Sequence, residues 1–395
     1  MRVLFIHNFY QIAGGEDTVF RAEKALLEER GHAVEALLFD NDAIQSTKDK
    51  LLTGLRGLYN PVSATLLRQK IQAFRPDLIH IHNFFPLASP SVFYEADRQG
   101  VPVVLTLHNY RLLCPSAFLY HDGQIYEANV HCIFPIDGIR KGVYRDSRMQ
   151  TANLGIITGM HKLLGTFRKK VSRFIALTEF GKQKFLDSSL HLSPEQIAVK
   201  PNFTEDLGLG YEEREPYFLF VGRLSEEKGI DNLLQAFRAA PFPLKIIGDG
   251  PLRSKVEAVA AENPQLEYLG FQEKSQVIEA MKQCTALLFP SLWYETMGMT
   301  ILEAFSTGTP AIASRIGGPA DIVVNEYNGL HFEPHDWQQL RAHVDRLLQE
   351  KTLLKKMQAG ARESYERHYT PERNYQQLIR IYEDVLAEKK ALARP

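Results

Sequence analysis

Two glutamates, Glu295 and Glu303, lie in the segment Tyr294-Glu295-Thr296-Met297-Gly298-Met299-Thr300-Ile301-Leu302-Glu303. An apolar run, Ala286 to Phe289, leads through Pro290-Ser291 into the first acid, and Gly298 is placed to open a helix. Glu303 then falls about one and a half turns into that helix. One carboxylate belongs to the loop above a strand and the other to the following helix, whose first amides, from Met297 to Met299, face the same space. A helix N-terminus attracts phosphate oxygens, and carboxylates accept hydrogen bonds from sugar hydroxyls. The combination suits a ligand that joins a diphosphate to a sugar. The plainer alternative is a surface loop with two solvated acids.

Other chemistry-bearing residues also follow apolar runs. Phe218 to Val221 is followed by Gly222-Arg223-Leu224-Ser225-Glu226-Glu227-Lys228-Gly229. The planar fork of Arg223 suits a diphosphate, and Lys228 adds a compact second charge. Gly248 and Gly250 follow Leu244 to Ile247 and allow close backbone approach to a ligand, although the same letters make an ordinary tight turn. Gly14-Gly15 precedes a helix and offers amides to a phosphate or sugar, or serves as a plain turn. The spacing is not G-x-G-x-x-G, which argues against a nicotinamide dinucleotide.

His80, His82 and His108 sit at or near strand ends. His80 and His82 share a strand face, but no third ligand lies close in sequence, so no metal is expected. Cys114, His121, His131 and Cys132 fall in an irregular stretch. A zinc knuckle is conceivable there, yet the spacing fits no standard pair, and a loop with incidental thiols is preferred. From Arg140 to Arg173 nine Lys/Arg residues face one acid, with Leu163, Leu164, Phe167, Val171 and Phe174 interleaved. That pattern fits either an anionic lipid surface or a solvated helix face.

The elements that must position these groups alternate. Strands are expected at Arg2 to Ile6, Ala33 to Leu38, Leu78 to His82, Val103 to Leu107, Phe174 to Leu177 and Ile197 to Val199. Asn202 to Pro216 reads as a linker. The alternation restarts with Phe218 to Val221, Leu244 to Ile247, Leu266 to Leu269, Ala286 to Phe289 and Ala311 to Ala313. Helices are expected at Ile230 to Ala239, Leu252 to Glu262, Ser275 to Gln283 and Met299 to Ser306. Near-continuous apolar strands between helices imply parallel sheets covered on both faces. The chain of 395 residues, net charge -1 and 45% hydrophobic residues fits a two-domain globular protein without affinity for nucleic acid. Three cysteines favour a reducing cytosol over a disulfide framework. The start lacks a signal peptide's pattern, and no stretch approaches the roughly 20 apolar residues of a membrane span.

Taken in order, Gly14-Gly15, the His108 loop, Lys200-Pro201-Asn202, Gly222-Arg223 with Lys228, Gly248-Asp249-Gly250-Pro251, Pro290-Ser291, Glu295 to Glu303 and Gly317-Gly318 resemble the retaining glycosyltransferases of the GT-B fold, family 4 (group 1). The resemblance implies an α/β fold of two doubly wound, Rossmann-like domains with an interdomain cleft. It places an acceptor-side domain over 1–202, a nucleotide-sugar domain over 203–370, and a C-terminal helix, 371–395, crossing back to the first. The implied reaction moves a sugar from a nucleotide diphosphate-sugar, UDP- or GDP-linked, to a glycan or lipid-linked acceptor hydroxyl without a metal or other cofactor. Arg223 and Lys228 would hold the diphosphate over Gly15, Glu303 the ribose, and Glu295 the transferred sugar. His108 would contact the sugar, and the base would lie near Gly270-Phe271. Gly14, Gly222, Gly248, Gly250, Thr296, Met297, Gly298 and Met299 would shape the donor pocket. Met297 and Asn109 depart from the family's commoner residues, which bears on the identity of the sugar. The Asn109-Tyr110-Arg111 form with Cys114-Pro115 is similar to a subgroup acting on cell-envelope polysaccharides. The expected location is cytoplasmic, with peripheral contact to anionic membrane through 140–173. The alternatives are a nucleotide-sugar epimerase on this fold, or a non-catalytic nucleotide- or glycan-binding protein.

Overall fold

A computed structural model describes residues 1–10, 14–43, 53–54, 56–238 and 241–392. The chain forms two compact units: Met1–Leu119 with Tyr126–Lys200 and the segment from Asn374, and Pro201–Arg373 with Tyr120–Ile125.

In the first unit the strands are β1 (Arg2–Phe9), β2 (Ala33–Asp40), β3 (Leu78–Ile81), β4 (Val103–Thr106), β7 (Arg173–Ala176) and β8 (Ile197–Val199). They make a parallel sheet ordered β2-β1-β3-β4-β7-β8. β1 and β2 pair over their whole length, Arg2 opposite Ala33 through Phe9 opposite Asp40. β3 and β4 are buried at every position because helices cover both faces. The strand order reverses between β1 and β3, the switch point where such sheets take ligands beyond their carboxyl ends. The long helix Pro371–Leu392 inserts Leu378, Ile381, Tyr382 and Val385 among Val3, Phe5, Phe20, Leu27, Leu78, Val104 and Ile175. It is part of this unit's core.

The second unit repeats the plan with β9 (Phe218–Val221), β10 (Leu244–Ile247), β11 (Leu266–Gly270), β12 (Ala286–Phe289), β13 (Ala311–Ser314) and β14 (Gly329–Phe332). Its order is β11-β10-β9-β12-β13-β14, all parallel, with the switch point between β9 and β12. The amphipathic helix Ile230–Phe237 buries Leu233, Leu234 and Phe237 against Phe218, Phe220 and Leu244. The short hairpin β5 (Tyr120–His121) and β6 (Gln124–Ile125) groups with this unit.

Several features differ from the sequence reading. β14 was not expected, because Gly-Leu-His-Phe is too short to show a period. The helices Pro61–Phe74 and Arg148–Leu163 were also not placed. The stretch after Asn202 has no helix or strand, yet it is not a loose linker. The Arg214 guanidinium, half-buried, donates to the carbonyls of Thr307 at 2.9 Å, Gly308 at 3.1 Å and Cys284 at 3.2 Å, and also bonds the Thr309 hydroxyl. Asp206 holds Arg362 through both carboxylate oxygens at 2.7 Å. Side-chain anchoring replaces regular structure there. Ala239, the expected end of one helix, lies outside the described residues.

Candidate functional site

Three loops interlock at the carboxyl ends of β9, β10 and β12. The Gly222 amide donates to Ile247 O at 3.0 Å, Leu224 N to Asp249 O at 2.9 Å, and Leu292 N to Glu227 O at 2.8 Å. Glycine is required where backbones touch. A Cβ on Gly248, whose φ is +142°, would stand 1.9 Å from Gly222 O, and one on Gly229 would stand 1.9 Å from Pro290 O. Gly248 and Gly250 thus pack their backbones against the loop after β9, at Gly222 and Leu224. Their amides are occupied within the unit, by Gly270 O at 2.8 Å and by Asp249 Oδ1 at 2.8 Å.

This packing carries Lys228 to Glu295. The lysine ammonium pairs with Glu295 Oε1. The same oxygen accepts from Ser291 Oγ at 3.0 Å and Trp293 Nε1 at 2.9 Å. Lys228 Nζ also lies 5.5 Å from the centroid of the Trp293 ring, within cation–π range. Glu295 is buried while the lysine retains about a quarter of its side-chain exposure, 24%. Arg223 is exposed on the same loop. Among the described residues no ion pair or side-chain hydrogen bond engages its guanidinium. Gly318 N donates to Glu295 O at 2.7 Å, so Gly317-Gly318 braces the acid's backbone. Ser291 and Trp293 are site residues to which the sequence reading gave no role. Their signal was proximity: an indole and a hydroxyl within four residues of a glutamate that needs donors.

The helix Met299–Ser306 starts at Gly298, which caps it without a side chain. The amides presented at its start are those of Met299 and Thr300, since Ile301 N is bonded to Gly298 O at 2.9 Å. Met297 precedes the helix with its side chain in the core, and Thr296 is half-buried beside it. Glu303 is half-buried on the helix, and burial raises its pKa above the usual carboxylate value against the pull of Lys274. Phe271, after β11, is 76% exposed, a free aromatic face for its size.

The first unit treats its strand-end groups differently. Gly14 caps the helix Gly15–Glu29, and its amide donates to Asp17 Oδ2 at 3.0 Å, so of the two expected glycine donors that of Gly14 is engaged by the helix's own acid. His80 spends both ring nitrogens, on Tyr382 Oη at 2.7 Å and Thr106 Oγ1 at 2.8 Å. His82 Nδ1 lies 2.9 Å from His108 Nε2, and His82 Nε2 lies 3.4 Å from Glu23 Oε2. Glu23 pairs with the fully buried Lys200. Burial alone would raise the Glu23 carboxyl, but Lys200 and His82 hold it well below its usual range. Burial and the neighbouring His82 push His80 and His108 well below the ordinary histidine value, so both are neutral at pH 7.

The expectation that His80 and His82 lack a third ligand is corrected: Glu23 completes the one cluster of metal-type ligands found among the described residues. It arrives from a helix far upstream, a proximity that only folding creates. The donor set fits a metal poorly at His80, whose two nitrogens are taken by Tyr382 and Thr106, and beside the Lys200 ammonium on Glu23 Oε1, although Glu23 Oε2 and His82 Nε2 complete no hydrogen bond. Cys114 is buried against Ser116 and Asn129, Cys132 is exposed, and both are free thiols.

A pair of doubly wound parallel-sheet units in series defines the GT-B architecture. The structure matches that of Anabaena HepE, solved in complex with UDP, at a TM-score of 0.66 and 17% identity over 97% of this chain and 100% of that one. The model for Glycosyltransferase Family 4 matches residues 13–205, and that for Glycosyl transferases group 1 matches 205–364. The chain belongs to the family 4, group 1 glycosyltransferases. It is 32% identical over 169 residues to an uncharacterized glycosyltransferase of Methanocaldococcus jannaschii, covering 42% of this chain and 48% of that one. It is 29% identical over 329 residues to the 2-deoxystreptamine glucosyltransferase of Streptomyces kanamyceticus, covering 78% of this chain and 79% of that one. The chain thus spans under half the length of the first of these relatives.

Proposed function

We propose that the protein transfers a sugar, with retention of configuration, from a nucleoside diphosphate-sugar to an acceptor hydroxyl in cell-envelope glycan synthesis. The observation that carries this reading is the union of Lys228 with Glu295 at the second unit's switch point, with exposed Arg223 on the same loop. UDP bound to HepE, on the same fold, supports a nucleotide donor.

In this reading the reacting bond joins the anomeric carbon to a diphosphate oxygen. As it breaks, negative charge grows on the leaving diphosphate and positive charge on the sugar ring. Arg223 and Lys228 neutralise the leaving group, the role a metal plays in other transferases. Three donors converge on Glu295 Oε1, so Oε2 is the oxygen offered to a sugar hydroxyl. Glu303, its carboxyl raised by burial, bonds the ribose hydroxyls. The start of the helix Met299–Ser306 faces phosphate, and Phe271 stacks near the base.

The basic stretch has a second role on membranes. Met149, Leu163 and Leu164 are 80%, 60% and 54% exposed amid its cations. Lys170 and Arg173 are already paired with Asp97 and Glu388, so fewer charges remain for lipid than the sequence suggests. Salt-sensitive flotation with anionic vesicles, lost in Leu163→Ser/Leu164→Ser, is the expected behaviour.

The donor reading is tested by thermal denaturation with a panel of nucleoside diphosphates. A ligand bound only to the folded state at a hundredfold excess over Kd adds about 2.7 kcal/mol. A rise with UDP or GDP, diminished in Arg223→Ala, is expected. No rise with any nucleotide overturns the reading.

A further inference from the structure

In the first unit, Tyr10, Phe84, Phe85, His108, Asn109 and Arg111 line a pocket beyond β3 and β4. Arg111 is its only cationic residue among those lining it. The guanidinium lies over two aromatic rings, 5.9 Å from the Phe85 centroid and 5.4 Å from that of Tyr144, within cation–π range. Its one hydrogen bond of good geometry is Nη1 to Pro115 O at 3.3 Å, and Asn109 Oδ1 accepts its backbone amide at 3.0 Å. Arg111 Nε and the adjacent Tyr10 hydroxyl are both buried without completing a hydrogen bond. No carboxylate forms an ion pair with Arg111 among the described residues. Glu16 interacts with Arg111 by charge, but Asn109 donates to its Oε2 at 3.4 Å and burial raises its pKa to about 8, which weakens it as a counter-ion. Burial disfavours the Arg111 cation, but Tyr10, Tyr144 and Glu16 outweigh that and raise its pKa, while its buried Nε is left open to a stronger anionic partner. Lining a pocket beside the Tyr10 hydroxyl and the His108 imidazole, the guanidinium has the form of an anion-binding group.

We infer that this pocket binds an anionic group, a carboxylate or phosphate, carried by the acceptor, with Arg111 as its charge partner and Tyr10 as a second donor. The inference rests on the transferase reading and adds a substrate class to it: an acidic acceptor. Neutral acceptors would offer Arg111 no charge partner and bind worse.

The test is calorimetric titration of the full chain with inorganic phosphate, glucuronate and glucose at fixed ionic strength, with UDP titrated in parallel. Saturable binding of phosphate or glucuronate but not glucose is expected. The phosphate and glucuronate arms tell which anion the pocket prefers. Arg111→Gln should weaken the anion at least about tenfold, the usual value of a charged hydrogen bond, Arg111→Lys should weaken it less, and UDP should bind as before. Glucose binding as well as glucuronate overturns the inference, and so does anion binding that ignores Arg111→Gln. Equal loss of UDP in Arg111→Gln also overturns it, because the guanidinium would then serve the donor. If Arg111→Gln fails to fold, Tyr10→Phe is titrated instead, with a severalfold loss expected and unchanged affinity counting against the site. Arg111-dependent anion binding without any nucleotide binding would sink the donor reading while leaving this pocket standing.

Discussion

The two units repeat one architecture and put opposite chemistry at their strand ends. In the first, the groups beyond β1, β3 and β4 turn inward. His80, His82, Glu23 and Lys200 gather in a buried cluster that also holds the His108 ring, with His80 bonded to Tyr382 and Thr106 and Glu23 paired with Lys200. In the second, the loops after β9, β10 and β12 satisfy one another through backbone, leaving Arg223, Lys228 and Glu303 with exposure to spare. The contrast shows that a titratable residue after a strand is not yet a binding residue. What decides is whether the neighbouring loops consume its bonds or leave them for a ligand.

The largest expected effect separates the units cleanly. Lys228→Ala should cut turnover by roughly a hundredfold or more, as loss of one donor to a developing charge does, with little change in melting temperature. Lys200→Met should do the reverse. It strands Glu23, 1% exposed, without its cation. Removal of one partner of such a pair costs about 3–5 kcal/mol, read by urea unfolding. A catalytic loss without destabilisation in Lys200→Met would erase the distinction. Replacing Glu23 and Lys200 together by Gln and Met should recover part of the stability, since no charge is then left alone.

Glu295→Gln sharpens the second unit alone. Turnover should fall while UDP or GDP binds about as before, because the carboxylate faces sugar and the cations face phosphate. Calorimetry of the nucleotide checks this, and parallel losses would make Glu295 a brace for the loop.

The smallest effect is the response to acid. Burial lowers His7 to about 4 despite its bond to Asp17, and lowers His80 and His108 well below 6.5. The unfolded chain takes up those protons near pH 6.5, so this contribution is present above that pH and lost as the pH falls toward 4. Glu16, raised to about 8 by burial, has the opposite sense: its contribution is full below about 4.5 and lost as pH rises through 8. In the second unit His343 and His368 are also lowered by burial, but both keep contact with solvent. The first unit should therefore loosen first between pH 6.5 and 4. Amide exchange reads it by peptide, and the protein's two tryptophans, Trp293 and Trp337, both report on the second unit. Tryptophan emission that moved first would reverse the order.

Much of the fold was legible because buried parallel strands are short unbroken apolar runs. Val103 to Leu107 and Ala286 to Phe289 mark their strands almost to the residue. The helix Met299–Ser306 was legible from its glycine start. β14 was not, since a four-residue strand with a glycine and a histidine carries no period. In the site, Arg223, Lys228 and Glu295 stood out by type and position after strands. Ser291 and Trp293 did not, because hydrogen bonds to one carboxylate oxygen leave no periodic trace. The Gly248 turn was visible, but its partner, the Gly222 carbonyl, was not.

Local order therefore came from sequence: which segments are strands, which glycines turn the chain, and which charged residues follow apolar runs. These depend on neighbours a few positions away. Tertiary structure alone decided which charges meet. It brought Lys228 to Glu295, Glu23 to Lys200 and His82, and set Arg111 between two aromatic rings. Such pairings depend on loop closures across tens or hundreds of residues, and burial then fixes which of the joined groups keep their charge.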